Sequence, residues 1–178
     1  MTTLNLIGIV GSLRTGSVNG ALARATIDVL PAEIELSLHS VNRLPLFDGD
    51  EEAAGPPAEV LELRTAVRDA DGIVLFSPEY NSSLPAVTKN VIDWLSRDSS
   101  AWESTGITMI TMSPGGRAGL GAREHFSAIM QRQAARLFET IGFGNSSARL
   151  DADGNVTDTA TLAELADFLA RFADHCRT

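Results

Sequence analysis

Three loops of the sequence combine hydroxyl, amide, aromatic and glycine residues in ways that suit ligand binding. The first, residues 11–19, sets the cation of Arg14 among hydrogen-bonding side chains at Ser12, Ser17 and Asn19. A helical pattern follows this loop, and a helix N-terminus adds free N–H groups and a partial positive charge. Such a loop can hold a phosphate with few charged side chains, so we predict a site for a terminal monophosphate.

Two nucleotide-binding motifs are excluded in this first loop. Gly11 and Gly16 have the spacing of a Walker A loop, but Ser17 stands where that motif requires a lysine. That lysine reaches the β- and γ-phosphates, so its absence argues against an NTPase. The G-x-G-x-x-G fingerprint of dinucleotide-binding proteins is absent from the sequence as well.

The second loop, residues 77–85, offers an aromatic surface. It is stiffened by Pro78 and Pro85 and holds Tyr80, the only tyrosine of the chain. An aromatic face beside the amide of Asn81 suits a flat heteroaromatic ligand with polar edges. The sequence therefore predicts that this loop lines a ligand ring.

The third loop, residues 113–121, contains four glycines, more than a simple connection needs. Glycine tolerates positive φ and lets another group approach the backbone closely. We therefore expect backbone N–H groups of this loop to point at a flat ligand.

Composition restricts the class of partner. The 178 residues suit one domain, and 23 acidic against 14 basic residues give a formal charge of −9. A surface this acidic repels nucleic-acid backbones and anionic lipid. Apolar runs fall far short of the roughly 20 residues that span a bilayer, and no signal peptide is visible. We expect a cytoplasmic protein with a small-molecule partner and neither a nucleic-acid nor a membrane partner.

The remaining reactive residues predict no second site. His39, His125 and His175 lack metal-ligand spacing, and no Gly-x-Ser-x-Gly nucleophile motif occurs. Residues 151–155 resemble part of a calcium loop but lack its final glutamate, which favours a turn. Cys176, the sole cysteine, lies near the end of the sequence and predicts an exposed thiol on a frayed tail. We predict neither a metal site nor a catalytic side chain.

The three loops follow strands in a repeated strand–helix pattern. Apolar runs predict strands at 4–10, 34–41, 72–76, 106–112 and 141–148. Periodicity and capping signals predict helices at 17–30, 58–69, 85–96, 119–140 and 158–175, with a turn-rich acidic loop at 46–57.

This alternation predicts an α/β fold with a parallel sheet and right-handed crossovers. For five strands we expect a single flavodoxin-like, doubly wound domain over residues 1–178, with strand order 2-1-3-4-5 and helices on both faces. In such sheets ligands bind at the carboxyl ends of the strands, where the three loops meet.

The first loop, the second loop and the helix predicted after the second loop each contain a motif, and the three motifs follow one another along the chain. They consist of Gly11-Ser12-Leu13-Arg14 with Ser17 and Asn19, Pro78-Glu79-Tyr80-Asn81, and Pro85, Lys89, Asn90, Asp93, Trp94, Ser96 and Arg97. In this order they resemble the NADPH-dependent FMN reductase family, which includes soluble quinone, chromate and azo-dye reductases. The resemblance spans residues 4–149.

The resemblance implies a bound FMN in a homodimer or homotetramer. The cofactor-binding residues that it implies are Ser12, Arg14, Ser17, Val18 and Asn19 around the phosphate, Pro78, Glu79, Tyr80 and Asn81 along the isoalloxazine ring, and Ser113, Gly115 and Gly116 against the same ring.

Three positions depart from the family pattern. Val18 replaces a frequent aromatic residue, Ser82 stands where the family often has Tyr or His, and Ala86 stands where it often has Gly. The smaller Ser82 affects substrate stacking and access more than flavin binding.

The implied function is that of an FMN-dependent NAD(P)H oxidoreductase. Hydride would pass from a nicotinamide to the flavin and then to a quinone, free flavin, azo compound or metal oxyanion; the cofactor supplies the chemistry. A flavodoxin-type electron carrier and a flavin-free regulatory protein on the same fold stay open as alternatives, as does the choice between NADPH and NADH. For Arg117, contacts with reduced flavin or with NADPH phosphates and a merely solubilising role stay open.

Overall fold

The computed structural model describes residues 3–98, 105–133 and 136–178, in which strands and helices alternate. The strands are β1 (Leu4–Val10), β2 (Ile34–His39), β3 (Gly72–Phe76), β4 (Gly106–Met112), β5 (Arg136–Leu137) and β6 (Ile141–Phe143). The helices are α1 (Val18–Val29), α2 (Gly49–Ala54), α3 (Ala58–Arg68), α4 (Ala86–Leu95), α5 (Leu120–Arg132) and α6 (Thr159–Arg177), with a 3-10 turn at Ser146–Ala148.

The strands form a parallel sheet in the order β2-β1-β3-β4-β5, and β6 also pairs with β4. The first half of β4 pairs with β5, at Ile107 and Leu137, and its second half pairs with β6, at Ile110 and Ile141. The two short strands therefore share the fifth position of the sheet. The predicted flavodoxin-like order is confirmed.

Helices cover both faces of the sheet. Strands β3 and β4 are buried along their whole length, as expected of parallel strands covered on two sides. One face packs against α1 and α6 through Leu22 and Phe172, and the other against α3 and α5 through Leu63 and Phe126. Each of these side chains is fully buried, which stabilises the fold by about 1.5–3 kcal/mol per residue. The loops at the strand ends thus start from fixed positions.

The predicted helix over 119–140 and strand over 141–148 were wrong in their bounds. Helix α5 ends at Arg132, and Leu137 lies in β5. The Phe138 ring packs against Phe168 and Phe172 of α6, at centroid distances of 5.5 and 5.6 Å. These apolar residues also have a helical spacing, but pairing with β4 and contact with α6 determine the conformation that they adopt. Ala134, part of the predicted helical stripe, lies outside the described residues.

The predicted acidic loop over 46–57 contains a short helix, α2. Asp48 caps it, because its Oδ1 accepts a hydrogen bond from the N–H of Asp50 at 2.8 Å. The acidic residues that suggested a solvated loop occupy the first turn, where negative charge interacts favourably with the helix dipole. The other predicted elements agree with the structure to within two residues at either end.

The end of the sequence differs from the predicted frayed tail. Cys176 and His175 both lie within α6, and the Cys176 thiol is half-buried against the sheet. Burial raises the pKa of this thiol to about 11, so it stays protonated near neutral pH. Among the described helices, none is long and apolar enough to cross a membrane.

Candidate functional site

The carboxyl ends of β1, β3 and β4 meet at a cleft of about 300 Å³. Its walls come from the three loops that the sequence singled out. The lining residues are Ser12, Arg14, Ser17, Val18 and Asn19 from the first loop and α1, Pro78, Glu79 and Tyr80 from the second, and Met112, Ser113 and Pro114 from the end of β4 and the third. The fold therefore brings together most of the predicted site residues.

Five residues differ between the predicted and the observed lining. Asn81, Gly115 and Gly116 are exposed and lie outside the cleft lining. Met112 and Pro114, which sequence reasoning missed, line it instead. Their place in the sequence could have identified them as lining residues, because both flank Ser113 at the carboxyl end of a fully buried strand.

The start of α1 forms an anion-binding end of the cleft. Ser17 caps the helix, because its Oγ accepts a hydrogen bond from the N–H of Gly20 at 3.2 Å. The N–H groups of Val18 and Asn19, in the first turn, have no acceptor within the helix. The first turn contains no acidic residue, so its field is positive. Backbone donors and a helix dipole together suit a phosphate.

Gly11 explains how the first loop reaches this position. A Cβ at Gly11 would lie 2.0 Å from Oγ1 of Thr88 in α4, far closer than two such atoms can approach. The Thr88 hydroxyl is itself fixed by the hydroxyl of Ser77, 2.7 Å away. A glycine is therefore needed for the first loop to cross the start of α4.

Arg14 is exposed and points along its own loop. Its Nη2 donates to the carbonyl oxygen of Gly16 at 2.7 Å, which holds the side chain beside the start of α1. A guanidinium has five N–H donors, so this single bond leaves donors for an anion. Arg14 thus adds a full positive charge to the anion-binding end.

The side chain of Asn19 has a different role from the predicted one at the phosphate, because it bonds to the backbone of the protein. Its Nδ2 donates to the Met112 carbonyl oxygen at 3.0 Å, and its Oδ1 accepts from the Met112 N–H at 2.8 Å. The side chain is buried, with 1% of its surface exposed. The amide is therefore used as a brace between α1 and the end of β4, and the residue offers a ligand its backbone N–H.

The second loop forms a tight hairpin. Tyr80 and Ser83 exchange two backbone hydrogen bonds of 3.1 and 3.0 Å, and the two residues between them, Asn81 and Ser82, have φ of 51° and 60°. Two positive φ values are the pattern of a type I′ turn. The hairpin holds Tyr80 at the mouth of the cleft with 54% of its surface exposed. Glu79 turns its carboxylate toward α5.

The third loop is anchored on its far side. The Ser113 N–H donates to the carbonyl oxygen of Phe143, and its carbonyl accepts from the N–H of Ser146. A Cβ at Gly115 or Gly116 would meet nothing within 4 Å. The packing of the protein therefore does not require glycine at either position. The close approach of a ligand to the backbone there stays a prediction.

Comparison with known proteins fits this geometry. Residues 4–146 match the family described as NADPH-dependent FMN reductase. The chain belongs to this family. It is 34% identical over 177 residues to a quinone reductase of Escherichia coli (strain K12), covering 96% of this chain and 94% of the relative. It is also 29% identical over 174 residues to a 2-hydroxy-1,4-benzoquinone reductase of Burkholderia sp., at 96% and 94% coverage.

A solved structure has the same architecture as this chain. FerB of Paracoccus denitrificans, described as a flavoenzyme NAD(P)H:(acceptor) oxidoreductase, superposes with a TM-score of 0.86 at 27% sequence identity. The match covers 98% of both chains. The likeness therefore includes all the elements that carry the cleft.

Proposed function

We propose that this chain is an FMN-dependent oxidoreductase that takes electrons from NAD(P)H and passes them to small-molecule acceptors of the quinone type. One observation carries the proposal: a member of the FMN reductase family places a positive helix start and a hairpin with an aromatic side chain in the lining of one cleft. FMN joins a phosphate to a flat ring, so its two ends match the two parts of the cleft.

The anion-binding end fits the FMN phosphate. The N–H groups of Val18 and Asn19, the hydroxyls of Ser12 and Ser17 and the guanidinium of Arg14 would surround it. In a chain of net charge −9, this concentration of donors would let a dianion bind locally despite the acidic surface.

The aromatic end fits the ring. Pro78 and Tyr80 would line one side, and Ser113 and Pro114 the other. When bound, FMN supplies the hydride- and electron-transfer chemistry, so no side chain needs to act as a general acid or base. The chain's part is to bind and orient the ring and to leave one face open to substrates.

Access to the open face supports a broad range of acceptors. Ser82 lies at the exposed tip of the hairpin, and its small side chain would leave more room for a substrate than a Tyr or His at this position. Quinones fit such a mouth, and we extend the proposal to free flavins, azo compounds and metal oxyanions. We further propose a single domain in a homo-oligomer, which the exposed apolar side chains of Leu13, Leu46 and Leu61 support.

The deciding experiment is anaerobic reduction. Purified protein is loaded with FMN, freed of excess by ultrafiltration and mixed with NADPH or NADH, and the visible flavin absorbance is followed. We expect bleaching by at least one nicotinamide and recovery on adding a quinone. Retained FMN that neither nicotinamide bleaches would indicate an electron carrier, and failure to retain FMN would indicate a flavin-free protein; either result contradicts the proposal.

A charge substitution tests the phosphate end separately. Arg14→Ala should weaken FMN binding by about 1.5–3 kcal/mol, the range for hydrogen bonds to charged groups. Arg43→Ala removes the same charge from an exposed position on another loop and serves as the control. Fluorescence titration of FMN gives both dissociation constants, and equal values for the two variants would remove Arg14 from the site.

A further inference from the structure

Glu79 borders the cleft, but its carboxylate bonds to a different part of the chain. Its Oε2 accepts a hydrogen bond from the N–H of Ala122, the third residue of α5, at 3.2 Å. Helix α5 follows Gly119, which has a φ of 71° and no side chain to cap it, and its first turn contains no acidic residue. The second loop therefore supplies the cap that the sequence of α5 lacks.

Glycine at position 121 makes room for this contact. A Cβ there would lie 3.1 Å from Oε2 of Glu79 and 2.7 Å from the backbone oxygen of Ser82. One turn further along α5, the Ser83 Oγ and the His125 Nδ1 lie 2.7 Å apart and form a second link. The hairpin is thus held against the first two turns of α5.

The second and third loops, which line the cleft, both lead to this helix start. The wall of Pro78 and Tyr80 is tied to α5 through Glu79, and the wall of Ser113 and Pro114 continues along the chain into α5. The bond between Glu79 and Ala122 therefore links the second loop directly to the helix into which the third loop leads.

We propose that Glu79 is a positioning residue: its carboxylate caps α5 and sets the width of the cleft, without binding the flavin ring itself. The proposal rests on the proposed function, because the cleft width matters for the ring that the cleft holds. It differs from the role that the family resemblance implies, in which Glu79 lies along the ring.

Four variants test the proposal through FMN affinity. Glu79→Gln keeps an oxygen that can accept the Ala122 N–H, Glu79→Ala removes it, and Gly121→Ala pushes the hairpin off α5 from the other side. Gly49→Ala is the matched control, since a Cβ at this first-turn position of α2 meets nothing within 4 Å. We expect the dissociation constant for FMN to rise about tenfold, or 1.4 kcal/mol, in Glu79→Ala and Gly121→Ala. We expect Glu79→Gln and Gly49→Ala to bind like the wild-type protein.

The midpoint potential of bound FMN separates positioning from direct contact. A carboxylate that acts on the ring would make Glu79→Gln shift the potential as strongly as Glu79→Ala, which would overturn the proposal. Wild-type affinity for FMN in Glu79→Ala, measured below the unfolding temperature of the variant, would also overturn the proposal. The cap would then contribute only to stability.

Hydrogen exchange of the Ala122 amide in the flavin-free protein separates this inference from the proposed function. The cap predicts slow exchange in the wild-type protein and in Glu79→Gln, and faster exchange in Gly121→Ala, even if Glu79→Ala does not fold. Wild-type protein that binds no FMN but protects this amide would reject the proposed function and keep the cap. An unprotected amide in a protein that binds FMN would reject the inference alone.

Discussion

At the scale of single residues, Asn19 shows how a side chain near a ligand site can serve the protein rather than the ligand. Its amide satisfies both backbone groups of Met112 at the end of β4, and all four bonded groups lie in a buried region. The pair joins α1, whose start lines the cleft, to β4, whose carboxyl end lines it as well. This side chain therefore adds polar bonds to the apolar packing that holds α1 against the sheet.

Replacing Asn19 tests this brace. Asn19→Ala leaves the N–H and carbonyl of Met112 buried without partners, each at a cost of about 1–3 kcal/mol, so the free energy of unfolding should fall by about 2–6 kcal/mol. Urea denaturation of the flavin-free protein measures the change. Asn42→Ala, at an exposed loop position, should stay within about 0.5 kcal/mol. An equal effect in both variants would contradict the brace.

The sequence predicted which residue types would surround the cleft, because strand ends and a helix start can be recognised locally. It did not predict their partners. Asn19 lies 93 residues from Met112 and Glu79 lies 43 residues from Ala122. A free donor and a bonded one have the same local sequence, so only the packed fold distinguishes a ligand contact from a brace.

At the scale of elements, the hairpin at 80–83 is strained at one position. Asn81 tolerates its φ of 51° better than most residues, whereas Ser82, at 60°, gains no comparable benefit. Glycine adopts this conformation without steric cost. The turn therefore keeps Ser82 at some expense of stability.

Ser82→Gly should raise the free energy of unfolding by about 0.5–1 kcal/mol, because the steric cost at positive φ exceeds the entropy that glycine loses. Ser82→Ala keeps the Cβ and should bring no gain. Thermal or urea denaturation of the flavin-free protein compares the two. A Ser82→Gly variant no more stable than Ser82→Ala would show that the turn is unstrained.

Element bounds were predictable where one signal dominated. The limits of β1, β3 and β4 follow from nearly continuous apolar runs in strands that are almost entirely buried. The end of α5 was not predictable, because the apolar residues after it suit either a helix stripe or a strand packed on α6. Local periodicity cannot choose between the two, and pairing with β4 decides.

At the scale of the whole molecule, the two ends of the sheet have different tasks. The carboxyl ends of the strands form the cleft, while the amino ends of β3 and β4 are closed by α6. Gly72 and Gly106 are paired across these two strands and lie under Cys176. A Cβ at either glycine would lie 2.6 or 2.7 Å from the Cys176 Sγ. The thiol thus fills a space that only paired glycines leave open.

This closure predicts a coupled pair of substitutions. Gly72→Ala forces its new methyl group against Cys176, Leu6 and Phe172, and should lower the free energy of unfolding by about 1–3 kcal/mol. Combining it with Cys176→Ala removes one of the three clashes. The free energy of unfolding of the double variant should therefore exceed the value expected from adding the two single effects by at least about 0.5 kcal/mol. Urea denaturation of the two single variants and the double variant measures this coupling.

The same variants test whether the two ends of the sheet are independent. The packing around Cys176 lies at the opposite end of β3 and β4 from Ser77 and Ser113, so the dissociation constant for FMN should be the same in all three variants wherever they are folded. Additive effects on unfolding would show that Cys176 and Gly72 do not share one space. A weakened FMN affinity in Gly72→Ala would show that strain at the amino ends reaches the cleft along the strands.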